Sequence, residues 1–408
     1  MSDIKKVYLE PTWRYHAYAH QLLALPPEGY EFVTPRKPVE SKLLDTLSHS
    51  GIGRPGLERL DSVLPTSLIK SWLERWSQPP RGTVLTYACD HLVFRPEPWV
   101  VEVEYAGLLL GADLKHFKRF KRTLEKALAS PFCRKIICWS EASRKGLLAD
   151  LECNGFAHKV ELVDYAVPPR HFVKVYPEQG RRKTNDGKKT RLLLVGSGTG
   201  KGAFDARGGR EVLEMFSILR QRYSNLELVI RSDVPAEVKS KYGGMDGLRL
   251  IESMVPWEEL EREFRSADIF VLPSHATMPM NILDAMSYEL PVVTVDYWAN
   301  KDIVEDGRTG LVAHGFAGFS PHYPGTHQPA WTTSGYKVTQ RKTDPAVIAD
   351  LVEKVSLLIE NAGLRQKLGK AGRAEVEQGR FSLKRRNDKL KQIFDEAIAG
   401  DAKSPVKS

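Results

Sequence analysis

Residues 267–313 read ADIFVLPSHATMPMNILDAMSYELPVVTVDYWANKDIVEDGRTGLVA and decide the fold class of this chain. An apolar strand pattern ends in Pro-Ser, a helical pattern starts near Pro279, and a second strand pattern, PVVTVD, follows at 291–296. An Asp-Gly turn at Asp306 then leads into a further apolar run. Short apolar strands that alternate with helices are typical of an α/β protein with a parallel sheet.

The same alternation continues in both directions from this stretch. Strands are predicted at 6–11, 30–35, 83–88, 99–105, 134–140, 159–166, 191–196, 226–232, 248–253, 267–274, 291–296 and 309–313. Helices are predicted at 67–76, 140–155, 209–223, 257–266, 280–289 and 345–376. Ser140 is the predicted N-cap of the helix that closes at Gly155.

Two α/β halves of similar size follow from this pattern. Residues 176–190, YPEQGRRKTNDGKKT, carry charged residues and turn formers and are predicted as a basic linker. The N-terminal domain is then 1–175 and the C-terminal domain 191–376. Within the latter, residues 314–342 are rich in glycine, histidine and aromatics. Such a long connection is either a binding loop or lid, or a disordered insertion, and both interpretations stay open.

Composition narrows the class of protein. The 408 residues carry 60 Lys and Arg against 51 Asp and Glu, a net charge of +9 that favours an anionic partner such as phosphate, nucleic acid or an acidic membrane face. No apolar run approaches the roughly 20 residues that span a bilayer, and MSDIKKVYLEP does not resemble a signal peptide. The cysteines lack CxxC or metal-ligand spacing, which favours a cytoplasmic protein without structural zinc: Cys89, Cys133, Cys138 and Cys153.

A glycine-rich turn, VGSGTGKGAFDARGGREVL, occupies 195–213 between a strand and a helix. Glycines let the backbone approach an anion at a helix N-terminus. A P-loop is excluded, because Val195 stands where its first glycine belongs and Gly202 where Ser or Thr belongs. GxGxxG also fails strictly at Ala203, and the next strand ends on Arg231 instead of the acid of a dinucleotide fold. A plain flexible turn remains the alternative.

The helix predicted after Pro279 carries a carboxylate, Asp284, in its first turns. A carboxylate there can accept hydrogen bonds from two vicinal hydroxyls, as on a ribose. The alternative is that Asp284 only complements the helix dipole.

Residues 112–129, ADLKHFKRFKRTLEKALA, predict a basic amphipathic helix. Phe117, Phe120, Leu124 and Leu128 share one face. Either this face packs on a sheet, or the helix lies on an anionic membrane surface. The cations that would contact such a surface are Lys118, Arg119, Lys121 and Arg122.

Several of these stretches resemble the retaining glycosyltransferases of the family-4 (group 1) type, which have the GT-B fold. ADIFVLPS, MPMNILDAMSYELPVV and DIVEDGRTGLVA match their C-terminal half in order and spacing, as does ARGGREVLEMFSILRQRYSNLELVI. CRKIICWSEASRKGLLADLECNGFAHKVELVDYAVPPRHF and FSLKRRNDKLKQIFDEA are similar to their first half and closing helix. The likeness covers residues 132–172, 191–313 and 345–397. It implies two doubly wound Rossmann-like domains facing across a cleft, a helix within 377–400 that crosses back to the N-terminal domain, and a tail at 401–408.

The resemblance also implies roles for individual residues. Asp284 takes the place of the glutamate that binds the donor ribose, and Ala276 or Thr277 that of the glutamate that contacts the transferred sugar. Arg207 matches the lysine beside the diphosphate, while Ser197 replaces the arginine and Lys201 lies nearby. Two cations there stabilise the leaving group, so no metal ion is expected. The predicted donor-binding residues are Ser197, Gly198, Arg231, His275, Thr277, Met280, Asn281 and Asp284.

In the first half, the family often places a histidine at the end of the strand predicted at 99–105, and this sequence has Glu104 there. Glu104 is the predicted catalytic group that positions the acceptor or stabilises an oxocarbenium-like sugar. Glu102 shares its face by the period of two, and burying both is costly unless they are paired. His91, at the end of the preceding strand, is either an acceptor contact or a structural histidine.

The function predicted from the resemblance is metal-independent transfer of a sugar, with retention, from a nucleotide-sugar to a hydroxyl acceptor. The acceptor would be a lipid or glycan, and the protein cytoplasmic and peripheral to the inner face of a membrane. A nucleotide-sugar epimerase and a non-catalytic sugar-nucleotide or nucleic-acid binding protein are the rival hypotheses. Against nucleic acid, the sequence has no RNP-like strand, zinc ligands or helix-turn-helix.

Overall fold

The computed structural model describes residues 4–10, 17–34, 65–76, 78–111, 114–170, 174, 189–196, 203–252, 254–276, 279–317, 320, 322–330, 336, 338 and 340–400. Within the chain two units separate. Unit 1 contains residues 1–164, 325–328 and 384–408, and unit 2 contains residues 165–324 and 329–383. The predicted boundary at 175 therefore differs from the structure, in which residues 165–170 lie in unit 2.

The described residues form two six-stranded sheets, one in each unit, and every strand pair is parallel. The strand orders are β2-β1-β3-β4-β5-β6 and β12-β11-β10-β7-β8-β9. This confirms the α/β class and the two Rossmann-like halves. The strands of unit 1 are β1 Lys5–Glu10, β2 Tyr30–Val33, β3 Thr83–Cys89, β4 Trp99–Val103, β5 Cys133–Cys138 and β6 Val160–Leu162; those of unit 2 are β7 Thr190–Val195, β8 Leu226–Arg231, β9 Leu248–Ile251, β10 Ile269–Val271, β11 Val292–Val295 and β12 Gly310–Ala313.

Helices connect most of these strands. They are α1 Ala17–Ala24, α2 Thr66–Glu74, α3 Leu114–Ala129, α4 Glu141–Asp150, α5 Ala203–Ala206, α6 Gly209–Arg222, α7 Ala236–Tyr242, α8 Trp257–Ser266, α9 Pro279–Ser287, α10 Asn300–Ile303, α11 Pro345–Glu360, α12 Ala362–Glu377 and α13 Leu383–Ala399. Three short 3₁₀ turns in unit 1 are Ala106–Leu110, Cys153–Gly155 and Ala157–Lys159. Most of the predicted linker 176–190 lies outside the described residues.

Helix boundaries follow from local capping. The Ser140 hydroxyl accepts the Ser143 N–H at 3.0 Å, which confirms the predicted N-cap of α4. The predicted end at Gly155 is wrong, because Leu151 is extended and 3₁₀ turns follow. The single helix predicted at 345–376 is two helices, since Asn361 ends α11 and its side chain accepts the Leu364 N–H at 2.8 Å to begin α12.

The apolar stripe of α3 packs in the core of unit 1. Phe117, Leu124 and Leu128 are buried, and Phe120 is half-buried against the same core. These side chains are therefore unavailable to a lipid phase, and of the two interpretations left open for the Phe and Leu face the structure shows the packed one. Burial of each such side chain in the core contributes roughly 1.5–3 kcal/mol to the stability of unit 1.

The last helix, α13, belongs to unit 1. Its Phe394 ring makes edge contacts with Tyr30, Phe32 and Tyr87, at centroid distances of 5.2–6.0 Å. Asp395 accepts hydrogen bonds from the Tyr30 hydroxyl at 2.7 Å and from Lys5 Nζ at 3.0 Å. α13 therefore packs against residues of β1, β2 and β3 in the first sheet.

Candidate functional site

Ligands of parallel α/β sheets bind beyond the carboxyl ends of the strands. In unit 2, those predicted donor residues that the structure describes lie at or beyond these ends. Asp284 is in the second turn of α9, the helix that follows β10. Arg170 Nη2 donates to Asp284 Oδ1 at 3.1 Å. Burial raises the pKa of the Asp284 carboxyl to about 6, and the Arg170 charge opposes that rise.

Two other residues that were predicted to bind the sugar donor form hydrogen bonds with the backbone at the end of β7. Asn281 Nδ2 donates to the Val195 carbonyl at 2.7 Å, and Arg231 Nη1 donates to the Gly196 carbonyl at 3.0 Å. Arg231 is buried, which lowers the pKa of its guanidinium. These contacts set the position at which the glycine-rich turn leaves the sheet. Met280 is half-buried in the first turn of α9.

The turn between α5 and α6 is packed onto the end of β10. Gly208 has a φ of 71°, and a β-carbon there would overlap the Pro273 carbonyl oxygen, so only glycine fits. The Ala206 carbonyl accepts from the Ser274 hydroxyl at 3.1 Å and from the His275 N–H at 3.0 Å. Arg207, half-buried, is thereby held beside the Pro-Ser segment. The predicted Ser197, Gly198, Lys201 and Thr277 lie outside the described residues.

His275 is fully buried, so in this conformation its ring offers no surface to a donor sugar. The ring stacks on Phe316 at 3.7 Å between centroids, and its Nδ1 lies 3.3 Å from the Tyr336 hydroxyl. Its Nε2 lies 3.6 Å from Oε1 of Glu211, which is also fully buried. Phe316 and Tyr336 come from the predicted 314–342 loop, so this part of the loop is anchored in unit 2.

Sequence reasoning did not identify Glu211. A signal was present, because Glu211 precedes Met215 and Leu219 by four and eight residues on the buried face of α6. A carboxylate in such an apolar stripe is expected to have a specific partner.

In unit 1 the predicted glutamates lie at the end of β4. Glu102 is buried and accepts the Tyr87 hydroxyl at 2.7 Å. Burial, assisted by the negative charge of Asp90, raises the pKa of Glu102 to about 8. Glu104 is half-buried one residue beyond the strand, and its N–H donates to Asp90 Oδ1 at 3.0 Å. Glu102 is therefore enclosed, whereas Glu104 is only half-buried.

His91 is buried among polar groups of unit 1. Its Nδ1 lies 3.2 Å from the Ser71 hydroxyl and its Nε2 lies 3.8 Å from Glu10 Oε1. Glu10 in turn forms a buried ion pair with Arg95. These contacts fit the structural alternative for His91.

The predicted cations of α3 lie on its outer face. Lys118, Arg119 and Arg122 are exposed, and half-buried Lys121 lies 3.9 Å from Glu125 Oε1. Within the described ranges, no helix combines the length and apolar character needed to cross a membrane. Among the same residues, no group of three or more His, Cys, Asp or Glu side chains is arranged to hold a metal ion.

Comparison with known proteins bears on both units. Residues 189–317 match the family model described as Glycosyl transferases group 1. The sulfoquinovosyl transferase SQD2 of Arabidopsis thaliana is 23% identical over 177 residues, and the amylovoran biosynthesis glycosyltransferase AmsK of Erwinia amylovora is 27% identical over 152 residues. These matches cover 42% and 34% of this chain, and 28% and 36% of the relatives, so the chain matches about a third of their length.

The structural comparison extends over almost the whole chain. The crystal structure of Anabaena Alr3699/HepE in complex with UDP and glucose has a TM-score of 0.58 and 13% identity, and the match covers 96% of this chain and 99% of that one. At that identity the likeness concerns the fold. The chain has the GT-B fold of glycosyltransferase structures, and within it residues 189–317 match the family model of the Glycosyl transferases group 1.

Proposed function

We propose that this protein is a glycosyltransferase that moves a sugar from a nucleotide-sugar donor to a hydroxyl acceptor, with unit 2 binding the donor and unit 1 the acceptor. The observation that carries the proposal is Asp284, a carboxylate on α9 beyond the carboxyl end of β10, inside the group 1 domain. The structure of HepE with UDP and glucose supports a nucleotide donor for this fold.

The chemistry needs negative charge to be stabilised on the leaving diphosphate. As the bond between the anomeric carbon and the phosphate oxygen breaks, Arg207 interacts with the growing charge, and Lys201 is its proposed partner. A pair of cations can do this without a metal ion, and the transfer is proposed to retain the anomeric configuration. The acceptor oxygen forms the new bond to the anomeric carbon, and its proton passes to the departing phosphate oxygen. Glu104 is proposed to orient that acceptor or to stabilise the cationic sugar.

We also propose that unit 1 contacts an anionic membrane from the cytoplasmic side, so that the acceptor is a lipid or a lipid-linked glycan. The exposed Lys118, Arg119 and Arg122 of α3 provide the charge. Exposed Trp72 and Trp76 at α2 provide interfacial aromatics, and α2 and α3 both contact the 3₁₀ turn Ala106–Leu110. Tryptophan is favoured at membrane interfaces. In this hypothesis the aromatic residues at the membrane interface are therefore Trp72 and Trp76, and not Phe117 and Phe120.

The test is to incubate the protein with UDP-, GDP- and ADP-sugars, with and without a lipid extract, and to measure free nucleotide and sugar products. A transferase releases nucleotide in an acceptor-dependent manner. Epimerisation of the sugar without release would identify an epimerase, and binding without turnover a non-catalytic binding protein. Asp284→Ala, which should lose donor binding, is the site control.

A further inference from the structure

Arg170 is held by contacts with several parts of unit 2. Its guanidinium centre lies 4.5 Å from the Trp257 ring centroid and 5.9 Å from that of Tyr288. Its backbone carbonyl accepts from Arg373 Nη2 at 3.3 Å. Its Nη2 donates to Asp284 Oδ1 at 3.1 Å. Cation–π contacts and a fixed backbone leave the guanidinium little freedom to move away from Asp284.

The contact engages one oxygen of the carboxylate. Among the described residues, the hydrogen bond and the ion pair recorded for the Asp284 side chain both go to Oδ1. The side chain of Asp284 is still 17% exposed. In the described part of the chain, no hydrogen bond or ion pair is recorded for Oδ2. A carboxylate with one oxygen fixed is pre-organised to accept from hydroxyl groups of a ligand with the other.

We infer that Arg170 is a positioning residue for donor binding: it fixes Asp284 through Oδ1 so that Oδ2 accepts from the vicinal hydroxyls of the nucleotide ribose. This inference rests on the proposed function, because it takes Asp284 as the nucleotide-binding carboxylate. Arg170 lies 114 positions before Asp284 in the chain.

The positive charge of Arg170 also favours the ionised form of Asp284, which can accept hydrogen bonds with both oxygens. Burial raises the pKa of Asp284 to about 6 even though the charge and hydrogen bond of Arg170 oppose the rise. The other ionisable groups around it are engaged elsewhere. The Tyr288 hydroxyl donates to Glu261, which is paired with Arg265, and Arg373 is paired with Glu289 and Glu377. Loss of the Arg170 charge would therefore shift ionisation of Asp284 to higher pH.

The experiment first measures the binding of UDP, GDP and ADP to the wild-type protein by calorimetry. The nucleotide that binds most tightly is then used for all variants from pH 5.5 to 8.5. Wild type should lose affinity as the pH falls through about 6. Arg170→Met should bind about 10-fold more weakly near pH 6.5, and its midpoint should move upward. Ligand ionisation is common to all variants and cancels in the comparison. Lys174→Met is the matched control, because Lys174 in the same segment donates to the Ala267 carbonyl, and its midpoint should equal that of wild type.

Further arms separate the possible outcomes. Arg170→Met should have no added effect in Asp284→Ala, and little effect on the 2′,3′-dideoxy nucleotide, which lacks the diol. Arg170→Lys keeps the positive charge but lacks the planar guanidinium, so it should restore the pH midpoint of nucleotide binding but not the full affinity. This variant replaces Arg170→Met in the experiment if the methionine variant fails to fold. Tighter binding by Arg170→Met, or an unchanged midpoint, would overturn the inference. Unchanged binding by Asp284→Ala, or no nucleotide binding by wild type, would instead remove the proposed donor site.

Discussion

Glu102 makes the stability of unit 1 depend on pH. Its carboxyl is enclosed at the end of β4, and burial raises its pKa from 4.5 to about 8. Because the folded state holds the proton more tightly than the unfolded state, the contribution of Glu102 to stability is fully present below pH 4.5. It is lost as the pH rises through about 8. At about 1.4 kcal/mol per pH unit, the loss between pH 5 and 9 is on the order of 4 kcal/mol.

Glu102→Gln removes this dependence, because the amide is neutral at every pH and its oxygen can still accept the Tyr87 hydroxyl. Urea unfolding of wild type and variant, measured side by side in half-unit pH steps, gives the difference in unfolding free energy. We expect the free energy of unfolding of the variant, relative to that of wild type, to increase by about 4 kcal/mol from pH 5 to 9. Any pH-independent cost of the substitution cancels in this difference.

The control is Glu152→Gln, which removes the same charge from an exposed position and should run parallel to wild type. Parallel curves for Glu102→Gln and wild type would refute the reasoning, since they would mean that Glu102 ionises in the folded protein as it does in the unfolded chain. A gain confined to pH below 6 would refute it equally, because it would place the pKa near the ordinary value.

Three further predictions follow from the proposed sites. Asp284→Ala should weaken nucleotide binding by roughly 10–100-fold with an unchanged fold, as calorimetry and thermal unfolding would show, and equal affinity would contradict the assignment. Arg207→Ala should lower kcat more than it raises KM, because its charge interacts with a diphosphate that becomes more negative in the transition state; a pure KM effect in steady-state kinetics would make it a ground-state contact. On α3, replacing four cations by Ser should abolish co-sedimentation of the protein with anionic vesicles: Lys118, Arg119, Lys121 and Arg122. Phe117→Ala, in contrast, should lower the free energy of unfolding by roughly 3–5 kcal/mol and leave vesicle binding intact. Vesicle binding that survives the fourfold substitution would contradict the membrane proposal.

Much of the fold could be predicted from local pattern. The strand at 226–232 and the helix at 257–266 were predicted within a residue of β8 and α8, because their apolar spacing reports which side chains leave water. α7 at Ala236–Tyr242 was missed, since a short polar helix has no apolar stripe to reveal it. The break between α11 and α12 was also missed, because one asparagine caps both helices within a continuous helical pattern.

The candidate site divides in the same way. From the sequence alone came the two α/β halves and the group 1 resemblance of residues 191–313, because these depend on residue type and spacing along the chain. The roles of Asp284 and Arg207 that the resemblance implies stay predictions. Only the tertiary structure decided the partners of Asp284, His275 and Glu102. Arg170 reaches Asp284, Glu211 reaches His275, and Tyr87 reaches Glu102 across long sequence separations. Such pairs, and the shifts in pKa that follow from burial, depend on how the sheets bring distant residues together, and no periodicity along one segment carries that information.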